Sequence, residues 1–257
     1  TPEDLAITRA FAEGLKETAP KTLVTFHPRG PGRSSDALHR EPWLDFNMIE
    51  TWTEWAKIYP AVVADALRAP RKPVVLGEGA YEDGPEYPQG PITPLLVRRQ
   101  AWWTAMAGGF HTYGQNQMWR MEPGWDKTFD TPGAAQVCLM KSILTGLPWP
   151  DLLPDQGIFA TGIGSERTLN AAMRSKDGTR VLIYLSSPTT VFLHLEKIEA
   201  KAAKATWISP ITGEKKDAGT FATGNDNGQV FPGSPTQFFK TPDFWEDAVL
   251  LLEGVER

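Results

Sequence analysis

In the stretch PVVLGEGAYED, residues 73–83, a short apolar run ends abruptly and is followed by a carboxylate. The β-branched pair and the leucine at residues 74–76 predict a buried parallel strand. Glu78 follows directly, and the glycines on both sides of it leave the carboxylate free of neighbouring side-chain bulk. A glutamate just past a strand can also be an ordinary solvated loop residue, but this position makes Glu78 the first candidate for chemistry.

One carboxylate at a strand end is half of what glycoside hydrolysis needs. That reaction uses two carboxyl groups that face each other across the bond, about 5 to 5.5 Å apart when a covalent intermediate forms. The options for a partner within the chain are Asp45, Glu50, Glu82 and Asp83. Asp45 lies in an apolar run that suits a structural role, and Glu50 heads a predicted helix, where an acidic residue favours the macrodipole. None stands out as the partner.

Other polar side chains follow the predicted strands and could line the same site. A single histidine is more often a satisfied core or loop residue than a catalyst, so their shared position at successive strand ends carries the argument. In barrel enzymes the functional residues lie at the carboxyl ends of the strands. These residues are His27, Asn47, His111, Tyr113 and Asn116.

Several other chemistries lack their motifs. No His, Cys or Asp set has a metal-ligand spacing such as HExxH or CxxC, so we expect no metal. The serines at positions 34 and 35 have no GxSxG context, and no glycine-rich phosphate loop is present. We therefore expect neither acyl nor phosphoryl transfer, and no cofactor.

The first 150 residues alternate between helical and extended patterns. A helix over 1–18 begins with Thr1 as its N-cap and carries Ile7, Phe11 and Leu15 four residues apart. Further helices are predicted at 51–68, 93–109 and 134–145, and strands at 22–26, 44–47, 73–76 and 110–113. This order is typical of a parallel array as in a (β/α)8 barrel, of which four strands would be the C-terminal half. A small open α/β sheet, complete in itself, is the alternative.

The pattern changes after residue 150, where the sequence GLPWP marks a predicted domain boundary. Residues 151–257 contain short alternating runs separated by turn signals, which predict an antiparallel β-sandwich. The predicted strands are 169–174, 180–186, 190–195, 205–209, 237–240 and 248–253. Residues 217–235 are rich in Gly, Asn and Asp, and we expect a long loop there.

The composition excludes several partners. The net charge is -5 and no basic run interleaves with aromatics, so nucleic acid is not expected. No apolar run approaches the roughly 20 residues that span a bilayer, so no membrane segment is expected. Ten tryptophans give weak support to a carbohydrate ligand, since aromatic rings stack on sugar faces. The single cysteine, Cys138, has apolar neighbours that predict a buried structural thiol.

Two segments, KPVVLGEGAYEDG and LVRRQAWWTAMAGGFHTYGQNQMW, resemble the apiosidase-like glycoside hydrolases, a group that includes glycoside hydrolase family 140. The resemblance extends into the tail through WISP at 207–210, TG at 212–213 and the closing AVLLLE. It implies a (β/α)8 barrel followed by a β-sandwich that carries a collagen-binding label.

By this resemblance Glu78 is the nucleophile at the end of the seventh strand of a retaining enzyme. The acid/base would be an aspartate at the end of the fourth strand, which would lie upstream of Thr1. The residues expected to bind the sugar, with Trp119 stacking on a ring, are His27, Asn47, Tyr81, His111, Tyr113, Asn116 and Trp119. We therefore expect the chain to lie against the N-terminal half of the same barrel.

The resemblance implies an oligo- or polysaccharide substrate, such as apiose-containing side chains of plant pectin, and a secreted or periplasmic location in a bacterium. A second interpretation is a non-catalytic protein whose β-sandwich binds a carbohydrate or a matrix protein. A β-sandwich by itself specifies no ligand, so the sandwich leaves both interpretations open.

Overall fold

The computed structural model describes residues 1–86, 90–224 and 236–256. The first part of the chain mixes helices with short strands. Its elements are α1 (Pro2–Thr18), β1 (Gly32–Arg33), α2 (Ser35–Leu38), β2 (Asn47–Trp52), α3 (Trp55–Leu67), β3 (Val74–Gly79), β4 (Pro85–Glu86), β5 (Gly90–Pro91), α4 (Pro94–Met106), β6 (Phe110–His111), α5 (Asn116–Arg120) and α6 (Pro132–Thr145). No described helix combines the length and the apolar character that crossing a bilayer requires.

A four-stranded sheet in the order β1-β2-β3-β6 organises this part. β2 and β3 pair in parallel, β3 and β6 pair in parallel, and the short β1 joins β2 antiparallel. The helices α3, α4 and α6 share one core with β2 and β3, to which Ile49, Ile58 and Leu76 contribute. Because β2, β3 and β6 run the same way, their carboxyl ends lie at one edge of the sheet.

Two of the predicted strands are wrong in position. Residues 22–26 form no strand. The Val24 N–H donates to the Asp45 carboxylate at 2.6 Å instead of to a backbone carbonyl, and only the Asp45 N–H donates back, to the Val24 carbonyl at 2.9 Å. β2 begins at Asn47, where the predicted strand ended, and runs through residues assigned to a helix. Its side chains alternate between buried and half-buried, but polar Asn47 and Thr51 are in the buried set and apolar Met48 in the other, so hydrophobicity does not show this period of two.

The second part is all-β. Its strands are β7 (Leu152–Pro154), β8 (Phe159–Thr161), β9 (Ala171–Ser175), β10 (Arg180–Leu185), β11 (Thr190–His194), β12 (Ala202–Ile208), β13 (Lys215–Ala222), β14 (Thr236–Lys240) and β15 (Ala248–Val255). Six strands form one antiparallel sheet in the order β13-β12-β15-β10-β9-β7, and three form another in the order β14-β11-β8. Both sheets contribute to a common core that contains Val181, Leu193 and Leu250, which confirms a β-sandwich.

The long loop predicted at 217–235 is wrong over its first residues. β13 pairs with β12 at the edge of the six-stranded sheet, and its side chains are exposed or half-buried. An edge strand that buries little can be built from lysine, aspartate and glycine, which conceals it from a hydrophobicity pattern. Residues 225–235 of the predicted loop lie outside the described part of the chain.

The two parts meet across α4, where Arg98 is fully buried. Its guanidinium donates to both oxygens of Asp247, at 2.7 and 2.8 Å, and to Gln136 Oε1 at 2.6 Å. The Tyr184 hydroxyl also donates to Asp247, at 2.7 Å, and the Tyr184 ring stacks on Trp102 with centroids 5.4 Å apart. A buried ion pair of this kind is costly to break, because one partner then remains charged without compensation.

We predict that Arg98→Met lowers the free energy of unfolding by about 3 to 5 kcal/mol, because it leaves the Asp247 carboxylate buried and unpaired. The double variant Arg98→Met with Asp247→Leu should recover most of this loss. Denaturant unfolding measures both. As a control, Lys176→Met breaks the exposed Lys176–Asp151 pair and should change stability by less than about 1 kcal/mol. An Arg98 variant as stable as the control would contradict the prediction.

Candidate active site

Glu78 lies near the carboxyl end of β3, opposite Glu50 of β2. The pairing of the two strands is irregular on both sides of Glu50, and such bulges re-aim a side chain. His27 lies between the two carboxylates. Its Nε2 is 3.1 Å from Glu78 Oε2 and 3.3 Å from Glu50 Oε2. The three side chains therefore form a cluster, which we call the His27 cluster, at one end of the sheet.

Glu50 is held in this position from its other side. The Gly30 N–H donates to its carboxylate, and a Cβ at position 30 would collide with that carboxylate. Burial and the neighbouring charge of Glu78 raise the pKa of Glu50, whereas His27 and the Gly30 N–H act in the opposite direction. The sequence had suggested that Glu50 heads a helix, which is wrong, because the residue belongs to β2.

The backbone behind Glu78 is fixed by Gln100 of α4. The Ala80 N–H donates to Gln100 Oε1 at 2.9 Å, and Gln100 Nε2 donates to the Ala80 carbonyl at 2.8 Å. A Cβ at Gly79 would lie 2.5 Å from Gln100 Oε1, and one at Gly77 would lie 2.7 Å from the Met48 side chain. The space expected from the sequence beside the carboxylate at these two glycines is taken up by the side chains of Met48 and Gln100.

Three aromatic rings stand next to the His27 cluster. The Tyr81 ring meets Trp52 edge-on at 5.4 Å between centroids, and it meets Trp119 at 6.3 Å. Burial, the charge of Glu78 and a hydrogen bond to Glu78 raise the pKa of Tyr81 to about 12. Trp52 has φ 47°, a left-handed conformation that is strained for a bulky residue and is often found at functional sites. Trp119 exposes more than half of its surface.

Four of the predicted residues gather at this end of the sheet. They are Glu78, His27, Tyr81 and Trp119. Asn116 joins them through its side-chain oxygen, which lies 3.4 Å from the Trp119 indole nitrogen. The sequence assigned Trp52 no role and gave no reason to prefer Glu50 as the partner of Glu78, because apolar and polar residues do not alternate along β2.

The other predicted residues lie elsewhere. Asn47 begins β2, is fully buried, and its Oδ1 lies 3.2 Å from His39 Nδ1. Tyr113 donates its hydroxyl to Glu82 at 2.6 Å, and burial raises its pKa. His111 lines a groove of about 790 Å³ next to α6. The expectation that Asn47 follows a strand is wrong, because the strand starts three residues later than predicted.

Glu82 has a structural position. Its buried carboxylate accepts hydrogen bonds from the Tyr113 hydroxyl, from Thr131 Oγ1 at 2.8 Å and from the Gly133 N–H at 2.9 Å. Gly133 lies in the first turn of α6, where free N–H groups and the helix dipole favour a carboxylate. Glu82 therefore fixes the start of α6 and is no partner for Glu78.

The His27 cluster is the one set of three potential ligand side chains found among the described residues. Its imidazole nitrogen and carboxylate oxygens all lie within 4.8 Å of one another. One nitrogen and two oxygens suit a divalent ion of the zinc type. The same cluster, with its two carboxylates, also suits a group that becomes positively charged during a reaction.

The comparisons with known proteins concern the fold and the family of the chain. A crystal structure titled as a glycoside hydrolase family 5 protein from Bacteroides vulgatus ATCC 8482 has a TM-score of 0.83 and 24% identity, and the match covers 95% of this chain and 58% of that one. A second structure, titled "Glycoside hydrolase", has a TM-score of 0.82 and 26% identity, with 95% and 60% covered. The chain thus has a glycoside hydrolase fold and spans about three fifths of these relatives' length.

The family follows from the sequence models. Residues 1–151 match the model described as "Apiosidase-like, catalytic domain", and residues 153–253 match "Putative collagen-binding domain of a collagenase". The first match covers more than half of the chain, so the protein belongs to the apiosidase-like family, as its sequence motifs indicated. No curated protein matches the chain.

His111 allows a pH test. The residue is half-buried as a whole, but both ring nitrogens are withdrawn from solvent, and burial lowers its pKa to about 4. An unfolded histidine takes up its proton near pH 6.5. Since the unfolded chain binds the proton first, we expect stability to fall as the pH drops from about 6.5 towards 4, by at most about 3 kcal/mol.

Urea unfolding of the protein and of His111→Leu, followed between pH 4.5 and 6.5, measures this contribution. The variant should lose less stability over that window than the protein does. Phe238→Leu, which changes an exposed ring of the β-sandwich and no titratable group, is the control and should leave the slope unchanged. Identical slopes for the protein and the His111 variant would contradict the prediction.

Proposed function

We propose that this protein is a retaining glycoside hydrolase in which Glu78 attacks the anomeric carbon of the substrate. The observation that carries the proposal is the position of Glu78 at the sheet end, held by Gln100 from behind and flanked by aromatic rings, in a chain with an apiosidase-like catalytic domain. The sugar would stack on the aromatic rings, with Trp119 as the most exposed of them.

The electrostatics of the His27 cluster support this chemistry. The transition state of glycoside hydrolysis resembles an oxocarbenium ion and carries positive charge. Both carboxylates lie within 3.3 Å of His27 Nε2, so the cluster places two acidic groups around one imidazole. The Tyr81 hydroxyl donates to Glu78 and fixes its direction. Glu78 would form the bond to carbon as the bond to the leaving oxygen breaks, and water would later cleave the glycosyl ester.

Glu50 is poorly placed to be the acid/base. It shares a histidine nitrogen with Glu78, so an imidazole occupies the space where the glycosidic oxygen would have to lie. Its position suits a residue that holds His27 beside Glu78. In this proposal an aspartate on a further strand of the barrel protonates the leaving oxygen and then activates water.

Exposed apolar side chains on α1 and on the edge strand β6 support the proposal of a larger barrel. α1 buries Ala12 against the core but leaves Ile7, Phe11 and Leu15 exposed. At the other edge Phe110 of β6 is half exposed and packs edge-on against Trp149 beside the groove. We propose that the N-terminal half of the same barrel covers both faces.

The same groove explains a difference from expectation. Cys138 is exposed, although its apolar neighbours predicted a buried thiol. It lies on the side of α6 that lines the groove, where the covering elements would bury it.

The proposed substrate is a side chain of a plant or other complex polysaccharide, with apiose-containing pectin as the first to test. A polymer of that kind is found outside the cytoplasm, so we propose that the protein is secreted or periplasmic. A non-catalytic carbohydrate-binding or matrix-binding role for the β-sandwich is the alternative that the first experiment below also tests.

We predict that Glu78→Ala lowers turnover by roughly 10³-fold or more in a protein with the complete barrel, because no covalent intermediate can form. Release of reducing sugar from pectin measures turnover. Added azide, a small external nucleophile, should restore part of the rate, and the product should then be a glycosyl azide.

The control is Glu54→Gln, a change at an exposed residue paired with Lys57, which should keep full activity. Unchanged turnover in Glu78→Ala would remove this residue from the mechanism, and binding without any hydrolysis in the unaltered protein would favour the alternative.

We also predict that the 257-residue chain on its own associates with further copies of itself, because the apolar side chains of α1 and of β6 are exposed to solvent. Sedimentation should find species larger than a monomer, and Phe11→Ser with Leu15→Ser should shift them towards the monomer. Phe238→Ser, at an exposed ring of the β-sandwich, is the control and should leave association unchanged. A chain that is monomeric and unfolds cooperatively would contradict the prediction.

A further inference from the structure

We propose that the His27 cluster also binds one divalent transition-metal ion of the zinc type, with His27, Glu50 and Glu78 as its ligands. Binding at this place would occupy the carboxylate that the proposed function uses as a nucleophile. The ion would therefore be an inhibitor and not a cofactor. Only this inhibitory consequence rests on the proposed function, whereas the binding itself rests on the geometry of the three side chains.

The distances are close to those of a coordinated ion. Zinc binds histidine nitrogen and carboxylate oxygen at about 2.0 to 2.2 Å, so neighbouring ligands of a tetrahedral site lie roughly 3.3 to 3.5 Å apart. In the cluster, His27 Nε2 is 3.1 Å from one carboxylate oxygen and 3.3 Å from the other. Small side-chain shifts would thus place all three ligands around one ion.

Each carboxylate is already oriented by a second group. The Gly30 N–H donates to Glu50, and the Tyr81 hydroxyl donates to Glu78. Outer partners of this kind fix the direction of a ligand and strengthen metal binding, and their loss usually weakens it. Because the carboxylates are already oriented in the absence of an ion, little side-chain conformational entropy is lost on binding.

The donor set selects the kind of ion. An imidazole nitrogen with two carboxylate oxygens suits Zn²⁺ or Co²⁺, whereas Mg²⁺ prefers oxygen ligands alone and retains its water. About half of the His27 side chain is exposed, which leaves a path for the ion and open positions for water. Two carboxylates and one imidazole also give the site a net negative charge when the imidazole is neutral.

The test uses the 257-residue chain after treatment with a chelator. Titration calorimetry with Zn²⁺ should find one ion per chain, and Co²⁺ at the same site should give the intense visible absorption of a tetrahedral complex. His27→Gln and Glu50→Gln, which keep side-chain volume and hydrogen-bonding capacity, should each weaken Zn²⁺ binding about tenfold or more. Mg²⁺ at the same concentration should not compete.

The matched control is His194→Gln. His194 Nδ1 lies 2.8 Å from Glu196, so this pair offers an imidazole and a carboxylate in the β-sandwich but no third ligand. Its loss should leave the affinity for Zn²⁺ unchanged. Circular dichroism of each variant shows whether it is folded, and if His27→Gln is not, Glu50→Gln decides the result.

Affinity that persists in Glu50→Gln, or the absence of Zn²⁺ binding below about 1 mM, would overturn the proposal. This outcome is separate from failure of the hydrolase proposal, because calorimetry needs no substrate and the azide experiment needs no metal. In an active protein with the complete barrel, Zn²⁺ should lower turnover and the chelator should restore it.

Discussion

The buried ion pair between Arg98 and Asp247 is the contact on which the arrangement of the chain depends. Arg98 lies on α4, and Asp247 precedes the last strand of the β-sandwich, so the pair joins the two parts through one helix. Two residues further along the same helix, Gln100 holds the backbone that follows Glu78. The position of the proposed nucleophile is thereby linked to the β-sandwich, although the two lie in different parts of the sequence.

This link gives the β-sandwich a physical role that needs no ligand. Its six-stranded sheet presents Tyr184 and other apolar residues to the core that contains α4, and the helix is buried along most of its length. Since α4 also packs against β6 and α3, the sandwich supports the four-stranded sheet through this helix. A supporting role of this kind agrees with a catalytic group that must be held rigidly.

The same atoms of the His27 cluster serve two proposed roles, catalysis and metal binding, that exclude each other. In the two proposals, the paired carboxylates stabilise positive charge in a reacting sugar, and the same pair with an imidazole binds a metal ion. Both properties arise from the irregular pairing of β2 and β3, which brings Glu50 opposite Glu78. The surrounding rings of Tyr81, Trp52 and Trp119 add an apolar surface beside this charge, as a sugar ring requires.

The sequence by itself determined the local features. The apolar run before Glu78 specified β3, the N-cap threonines and first-turn prolines specified α1 and α4, and the alternating runs after residue 150 specified most strands of the sandwich within a few residues. Its motifs also identified the family, and they singled out Glu78. These features depend on neighbouring residues in the chain, where propensity and periodicity act directly.

Only the tertiary structure decided which side chains meet. Glu50 faces Glu78 because a bulge shifts the pairing of two strands, and the sequence does not show that register. Tyr113 and Glu82 lie outside the site, because Glu82 accepts hydrogen bonds from the Tyr113 hydroxyl and from the Gly133 N–H at the start of α6. The glycines beside Glu78 make room for Met48 and Gln100, residues 21 or more positions away. Long-range packing sets these contacts, and no pattern within a strand or helix records them.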